Sequence, residues 1–253
     1  MRRQTSVRAW ASIALCLLSL SAQADQRLHL TLREKKDLYT IFTTHVLIPE
    51  QRDAAIDARA PLTIDKWPMP ITVAIASDNS MQAARAERKI LKPLLAQFSA
   101  ASGIPVETLT DNLDTDIVVF LDRRLAHGFV NRALTEPAQA VANYLRAGAG
   151  CAALPSKDGS GHIRYLLGVD LEADWKQQRH CLGNGIASAL GLHGNIGGDP
   201  SFRPGETGAL AFARGALVSL AALYQPEIRN GMTLPELKRA LGVIGKRLVQ
   251  SAQ

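Results

Sequence analysis

The residues best suited to chemistry lie in and around CLGNGIASALGL, Cys181 to Leu192. A helix that activates water on zinc needs two histidines one turn apart on the same face, with a glutamate beside the first to act as base. Set against the downstream ALGL, those three positions are Asn184, Gly185 and Ser188. An amide and a hydroxyl bind zinc poorly, and glycine carries no base. The run therefore has the outline of a metal-binding helix without its reaction.

Other candidates surround it. His180 and His193 are 13 residues apart, about 20 Å on a straight helix, so a shared ion would require the chain to fold back at Gly194. Surface or cap histidines are the simpler reading. Ser188 with His193 or His162 could be enlisted as a serine nucleophile, but the strained G-x-S-x-G elbow is missing. If catalysis lies outside the helix, His162, Asp170, Glu172 and His193 are the residues to test. GNIGG, 194 to 198, lacks the lysine and the strand-to-helix setting of a phosphate loop. Asp111, Asp114 and Asp116 do not complete an EF-hand spacing and read as solvated loop carboxylates. Trp67, flanked by Pro68 and Pro70, reads as core before ligand platform. No metal and no cofactor are expected.

Positioning such residues takes a compartment and a fold. Arg2, Arg3 and Arg8, an apolar stretch from Ala9 to Leu20, and Ala22-Gln23-Ala24 have the anatomy of a secretory signal peptide cleaved after Ala24. The stretch is shorter than the roughly 20 apolar residues of a membrane span, so no stable span is expected after cleavage. Leu15 before Cys16 does not suit lipidation, which argues against a lipoprotein. Cleavage removes three arginines and no acids, taking the formal net charge from +6 to +3 and leaving 229 of 253 residues. That length can bury a sizeable core. There is no basic stripe with interleaved aromatics, which excludes nucleic acid as the expected partner. Cys151 and Cys181 remain, and an even pair in an oxidising compartment implies a disulfide that stabilises by about 3–4 kcal/mol.

The apolar pattern from Gln26 to about Ala60 alternates at first and then turns helical, and reads as an N-terminal extension (25–60) ahead of one domain (61–253). KWPMPITVAIAS enters a strand at Ile71, Val73 and Ile75, and a helix follows from Ser80 to about Ala101, stopped by Gly103. Strands are expected at 104–109 and 116–121, the second, with its IVVFL run, near the centre of a sheet. Pro137 to Arg146 reads as helix. Cys151 to Leu154 and His162 to Leu171 read as strands around SKDGSG, a hairpin turn. Helices are then expected at Asp174–Leu192, Glu206–Tyr224 and Leu234–Val249. In LYQPEIRNGMT, Pro226 ends a helix, Gly231 turns the chain, and Thr233 with Glu236 forms a capping box. A sheet-bearing half followed by a largely helical half argues α+β.

The order KWPMPITVAIAS, IVVF, Cys151, the hairpin, CLGNGIASALGL, PSFRPGE and LYQPEIRNGMT resembles the bacterial domain-of-unknown-function family 2927, over approximately Thr63 to Val243. The resemblance implies an exported protein with a zincin-like fold and no established activity. It also implies paired glutamates and a glutamine where a zincin has HE and its second histidine; Asn184, Gly185 and Ser188 depart even from that. The sequence reading is therefore a disulfide-bonded periplasmic or secreted α+β protein, a non-catalytic envelope or binding protein whose partner is an envelope protein or a small ligand. The alternative is a peptidase-like hydrolase acting on peptide or cell-envelope polymers.

Overall fold

Five apolar runs build one sheet: β1 (Ile71–Ser77), β2 (Val106–Leu109), β3 (Ile117–Leu121), β4 (Cys151–Lys157) and β5 (Ile163–Val169), in the order β2-β1-β3-β5-β4. These come from a computed structural model that describes residues 28–53, 59–67, 70–77, 79–109, 115–121, 151–157, 163–193, 202–205 and 208–250. β1 runs parallel to β2 and β3, β3 runs parallel to β5, and β4 closes the edge antiparallel to β5. Every residue of the IVVFL strand β3 is buried, and the strand is central, as an uninterrupted apolar run implies. Pro155 lies in edge strand β4, where a missing N–H leaves no inner ladder bond unmade. Asp116 is not a solvated carboxylate. It is buried and accepts from the Thr72 main-chain N–H at 2.7 Å and hydroxyl at 2.8 Å, fastening β3 to β1.

The helices are α1 (Leu32–Val46), α2 (Pro49–Asp53), α3 (Met81–Ala86), α4 (Lys92–Ser102), α5 (Trp175–Ala189), α6 (Arg214–Leu223) and α7 (Leu234–Gln250). Local sequence sets most of their ends. Thr31 and Glu34 form a capping box at α1, Ser80 caps α3, Asp174 caps α5, and Gly103 ends α4 at φ 74. At α7, Glu236 accepts from the Thr233 N–H at 2.7 Å and hydroxyl at 2.9 Å. The expected single helix after β1 is a rod interrupted by a π turn, Glu87–Leu91, which buries both Ile90 and Leu91.

One ambiguous pattern is resolved and one expectation needs correction. The segment that alternates at Leu28, Leu30 and Leu32 before turning helical becomes a helix from Leu32, started by the Thr31–Glu34 box. The helix expected at Glu206–Tyr224 begins only at Arg214. Before it, β6 (Phe202–Pro204) and β7 (Leu210–Phe212) pair antiparallel in a separate two-stranded sheet, with Gly208 at φ 70 between them. The glycines and Pro204 break helical continuity, and β7 is buried at all three positions.

The layers follow. α4 lies against β2, and α5 against β4 and β5; α6 packs on α4, and α1 packs on α6 and α7. Leu38, Phe42 and Val46 of α1, with Leu47 just after it, belong to the same buried cluster as the sheet. This is an α+β architecture. Among the described residues no helix is long and apolar enough to cross a membrane. A disulfide joins Cys151 of β4 to Cys181 of α5 with Cα atoms 5.6 Å apart, an ordinary spacing for such a bridge. Residues 1–24, read from the sequence as a leader, Asp111 and Asp114, the helix read at Pro137–Arg146, His162 and the GNIGG loop lie outside the described residues.

Candidate functional site

Helix α5 is set against its neighbours by two glycines. A Cβ on Gly185 would stand 2.3 Å from Leu167 Cδ1 of β5, and one on Gly183 would stand 2.8 Å from Leu210 Cδ2 of β7. Position 185 therefore faces the sheet so closely that any side chain there must displace Leu167. Asn184 and Ser188 lie one turn apart on α5. His180 and Asn184 are neighbours, with Nε2 and Nδ2 3.1 Å apart, and Asn184 Oδ1 is buried with no hydrogen-bond partner among the described residues.

Where α5 ends, a cleft of about 140 Å³ opens, lined by Asp65, Lys66, Trp67, Pro155, Tyr165, Ser188, Ala189 and His193. His193 Nε2 lies 3.4 Å from Asp65 Oδ2, an ion-pair contact, and is buried without a hydrogen-bond partner among the described residues. The His193 ring holds the Asp65 carboxyl below its ordinary range, against a desolvation that pulls it up. Burial pushes the Tyr165 phenol up, opposed by the neighbouring Ser188 hydroxyl. Burial also pulls the Lys66 ammonium down, with Glu227 opposing. The cleft thus presents a carboxylate–imidazole pair on one side, two hydroxyls on another, and apolar walls from Trp67 and Pro155. Such a set can orient and exchange a proton with a polar group. Among the described residues, no third His, Cys, Asp or Glu joins Asp65 and His193 in a metal-binding cluster.

The wall bearing Asp65, Lys66 and Trp67 is held by the segment after α6. The Leu62 N–H donates to Met232 O, the Gly231 N–H to Leu62 O, the Ile64 N–H to Asn230 Oδ1 and the Lys66 Nζ to Gln225 O, at 2.9, 2.9, 3.0 and 3.1 Å. Both sides of the wall also finish α5, whose last carbonyls have no helical donors. The Trp67 indole N–H donates to Ala189 O, and the Tyr224 hydroxyl donates to Leu190 O at 3.3 Å. Gly191, at φ 90, lets the chain leave the helix close under this wall, for a Cβ there would stand 2.5 Å from Asp65 O.

The structure brings Ser188 and His193 into one cleft. It places Asp170 and Glu172 beyond the other end of α5, where Asp170 Oδ1 accepts from the Glu172 N–H at 2.8 Å. His180 meets Asn184 while His193 meets Asp65, so the two histidines engage different partners. Sequence reasoning missed Asp65, Lys66, Tyr165 and Asn230. The available sign was the LYQPEIRNGMT run, which supplies the clamp on residues 62–67 as well as a cap for α7.

A family model described as a protein of unknown function, DUF2927, matches residues 35–242. The chain belongs to that family. No curated protein and no solved structure matches the chain. The DUF2927 region runs from within α1 to within α7 and contains every residue of the cleft and its clamp. Three of the landmarks that carried the resemblance meet at the cleft: KWPMPITVAIAS contributes Lys66 and Trp67, α5 contributes Ser188 and Ala189, and Tyr224 to Met232 hold the wall.

Proposed function

We propose that this DUF2927 protein is exported and works as a non-catalytic binding protein, using the Asp65–His193 cleft to hold a polar group of a small ligand or of an envelope component. The observation that carries the reading is Gly185. A water-activating base would be needed there, and the position holds a glycine that faces the sheet, where a side chain would have to displace the buried Leu167. The neighbouring cleft keeps converging polar groups, the mark of recognition. At about 140 Å³ it is below the roughly 300–1,000 Å³ of pockets that enclose whole ligands, so it takes the tip of something larger. Export is supported by the composition of residues 1–24 and suits the Cys151–Cys181 bridge. The zincin-like part of the reading is supported by α5 lying on β5 beside an antiparallel edge strand, with Asn184, Gly185 and Ser188 in the metal-helix positions.

Native mass spectrometry of protein purified from its host tests the binding role. The expected outcome is a retained adduct that is lost from the Asp65→Asn and His193→Ala variants. A second reading, a hydrolase acting on peptide or cell-envelope polymers, is favoured by one observation: an imidazole paired with a carboxylate in the same cleft as the Ser188 hydroxyl. Turnover of peptides or peptidoglycan fragments by the purified protein, lost in His193→Ala or on adding chelator, would replace the first reading with the second.

A further inference from the structure

Positive charge is unevenly spread over the molecule. Helices α1 and α7 carry seven Lys and Arg side chains against three acids, a net +4, while residues 25–253 as a whole carry +3, so everything outside the two helices sums to −1. The two helices come from opposite ends of the chain and pack side by side, antiparallel. The Leu30 N–H donates to Leu248 O at 3.3 Å, a Cβ on Gly245 would stand 3.3 Å from Lys35 Cγ, and Lys238 Nζ lies 5.9 Å from the centroid of the Tyr39 ring. The sequence shows no basic stripe because the cations of this face are divided between its two ends.

The acids of these helices leave most of the cations uncompensated. Glu34 turns to Arg214, Asp37 lies 3.9 Å from Arg33, Glu236 accepts from Thr233, and Arg247 is taken by Glu227. Lys35, Lys36, Lys238, Arg239 and Lys246 are exposed and enter no ion pair among the described residues. On α7, Arg239, Val243 and Lys246 follow one another at i, i+4 and i+7 and share one outward stripe. On α1, Leu32, Lys35 and Tyr39 have the same spacing along the seam with α7. Apolar side chains stand among the cations: of the four exposed large hydrophobics among the described residues, Leu32 at 75% and Val243 at 55% exposure lie here. A Cβ on Gly242, beside Val243, would meet nothing within 4 Å, so nothing covers the face at its centre. Cations alone would suffice for an acidic partner in solution; cations interleaved with exposed apolar groups complement a surface that is anionic outside and apolar just beneath.

We propose that the α1–α7 face docks the protein on an anionic phospholipid bilayer, with Lys35, Lys36, Lys238, Arg239 and Lys246 against the headgroup phosphates and Leu32 and Val243 dipping below them. The inference stands on this face and does not rest on the role of the Asp65–His193 cleft.

Sedimentation with vesicles of phosphatidylglycerol and phosphatidylcholine in equal parts, and with vesicles of phosphatidylcholine alone, tests it. The protein is prepared without residues 1–24, so that the apolar stretch 9–20 takes no part. It should pellet with the anionic vesicles only, and be released at about 1 M salt, where the screening length falls to about 3 Å. A cation near such a surface contributes about fivefold, so Lys238→Gln with Lys246→Gln should lower the partition coefficient by at least about tenfold. Arg88→Gln with Lys176→Gln removes the same charge from the π turn and α5, and should lower it by less than about threefold. Leu32→Ser with Val243→Ser should lower it by at least about fivefold at unchanged charge. All six side chains are exposed, so the variants should melt with the wild type. No pelleting with anionic vesicles, equal pelleting with neutral ones, or wild-type partitioning of the Lys238→Gln, Lys246→Gln variant would each overturn the proposal. So would wild-type partitioning of the Leu32→Ser, Val243→Ser variant, which would assign the face to an acidic macromolecule in solution.

Discussion

Gly185 makes the difference between a helix that has lost its catalytic side chains and one that has settled onto the sheet. The close approach to Leu167 Cδ1, Cδ2 and Cγ, at 2.3, 3.0 and 3.2 Å from an added Cβ, means that even alanine must displace a fully buried leucine. Gly185→Ala is expected to cost about 1–3 kcal/mol, the usual penalty of overpacking a core. Pairing it with Leu167→Ala should relieve part of the clash, and thermal melts of the two single variants and the double variant would show this as non-additivity. Asn230 acts at longer range. Its side chain is the acceptor for the N–H of buried Ile64, and Asn230→Ala is expected to cost about 1–3 kcal/mol by leaving that N–H unpaired. The same substitution should loosen residues 62–67, which amide hydrogen exchange would detect as faster exchange at Ile64 than at the sheet strands.

Between helices, the contact of α1 with α6 is sealed by a bidentate pair. Arg214 Nε and NH2 donate to Glu34 Oε1 and Oε2 at 2.6 and 2.9 Å, and Glu34 also accepts from the Thr31 N–H at 2.8 Å. The guanidinium of Arg214 beside it is the main cause that lowers the Glu34 carboxyl from 4.5 to about 2. Because the folded value is depressed, the pair's stability is present above the ordinary carboxylate range and is lost as pH falls from 4.5 towards 2. Glu34→Gln should therefore cost about 1 kcal/mol near neutral pH, and the gap between variant and wild type should close in acid; urea melts across that range would check it. Helices whose determinants are local were readable in advance: Asp174, Ser80 and Gly103 sit within a turn of the ends they set, whereas the Thr31 cap of α1 was hidden by the alternating Leu28, Leu30 and Leu32. The hairpin at Phe202–Phe212 was not readable. GALAF continues the apolar spacing of a helix, and what decides against one is tertiary: Phe202 and Leu210 pack on Gly183. The cleft was half legible for the same reason. Ser188 and His193 adjoin a recognisable motif, while Asp65 joins them only through a clamp whose partners are 166 positions apart in sequence.

Across the whole molecule, Cys151–Cys181 ties the edge strand to the middle of α5, so the helix that ends at the cleft has a covalent anchor to the sheet. Reduction, or Cys151→Ser with Cys181→Ser, is expected to remove about 3–4 kcal/mol for a loop of this size, which calorimetric unfolding with and without reductant would measure as a fall in Tm. Of the three tryptophans, Trp10 lies in the leader read from the sequence, Trp67 stands in the cleft and Trp175 opens α5. In a protein prepared without residues 1–24, Trp67 and Trp175 are the two indoles left. Trp175→Phe would then leave a single fluorophore, so that occupation of the cleft can be followed by its own emission, without a label and without knowing beforehand which compound is bound.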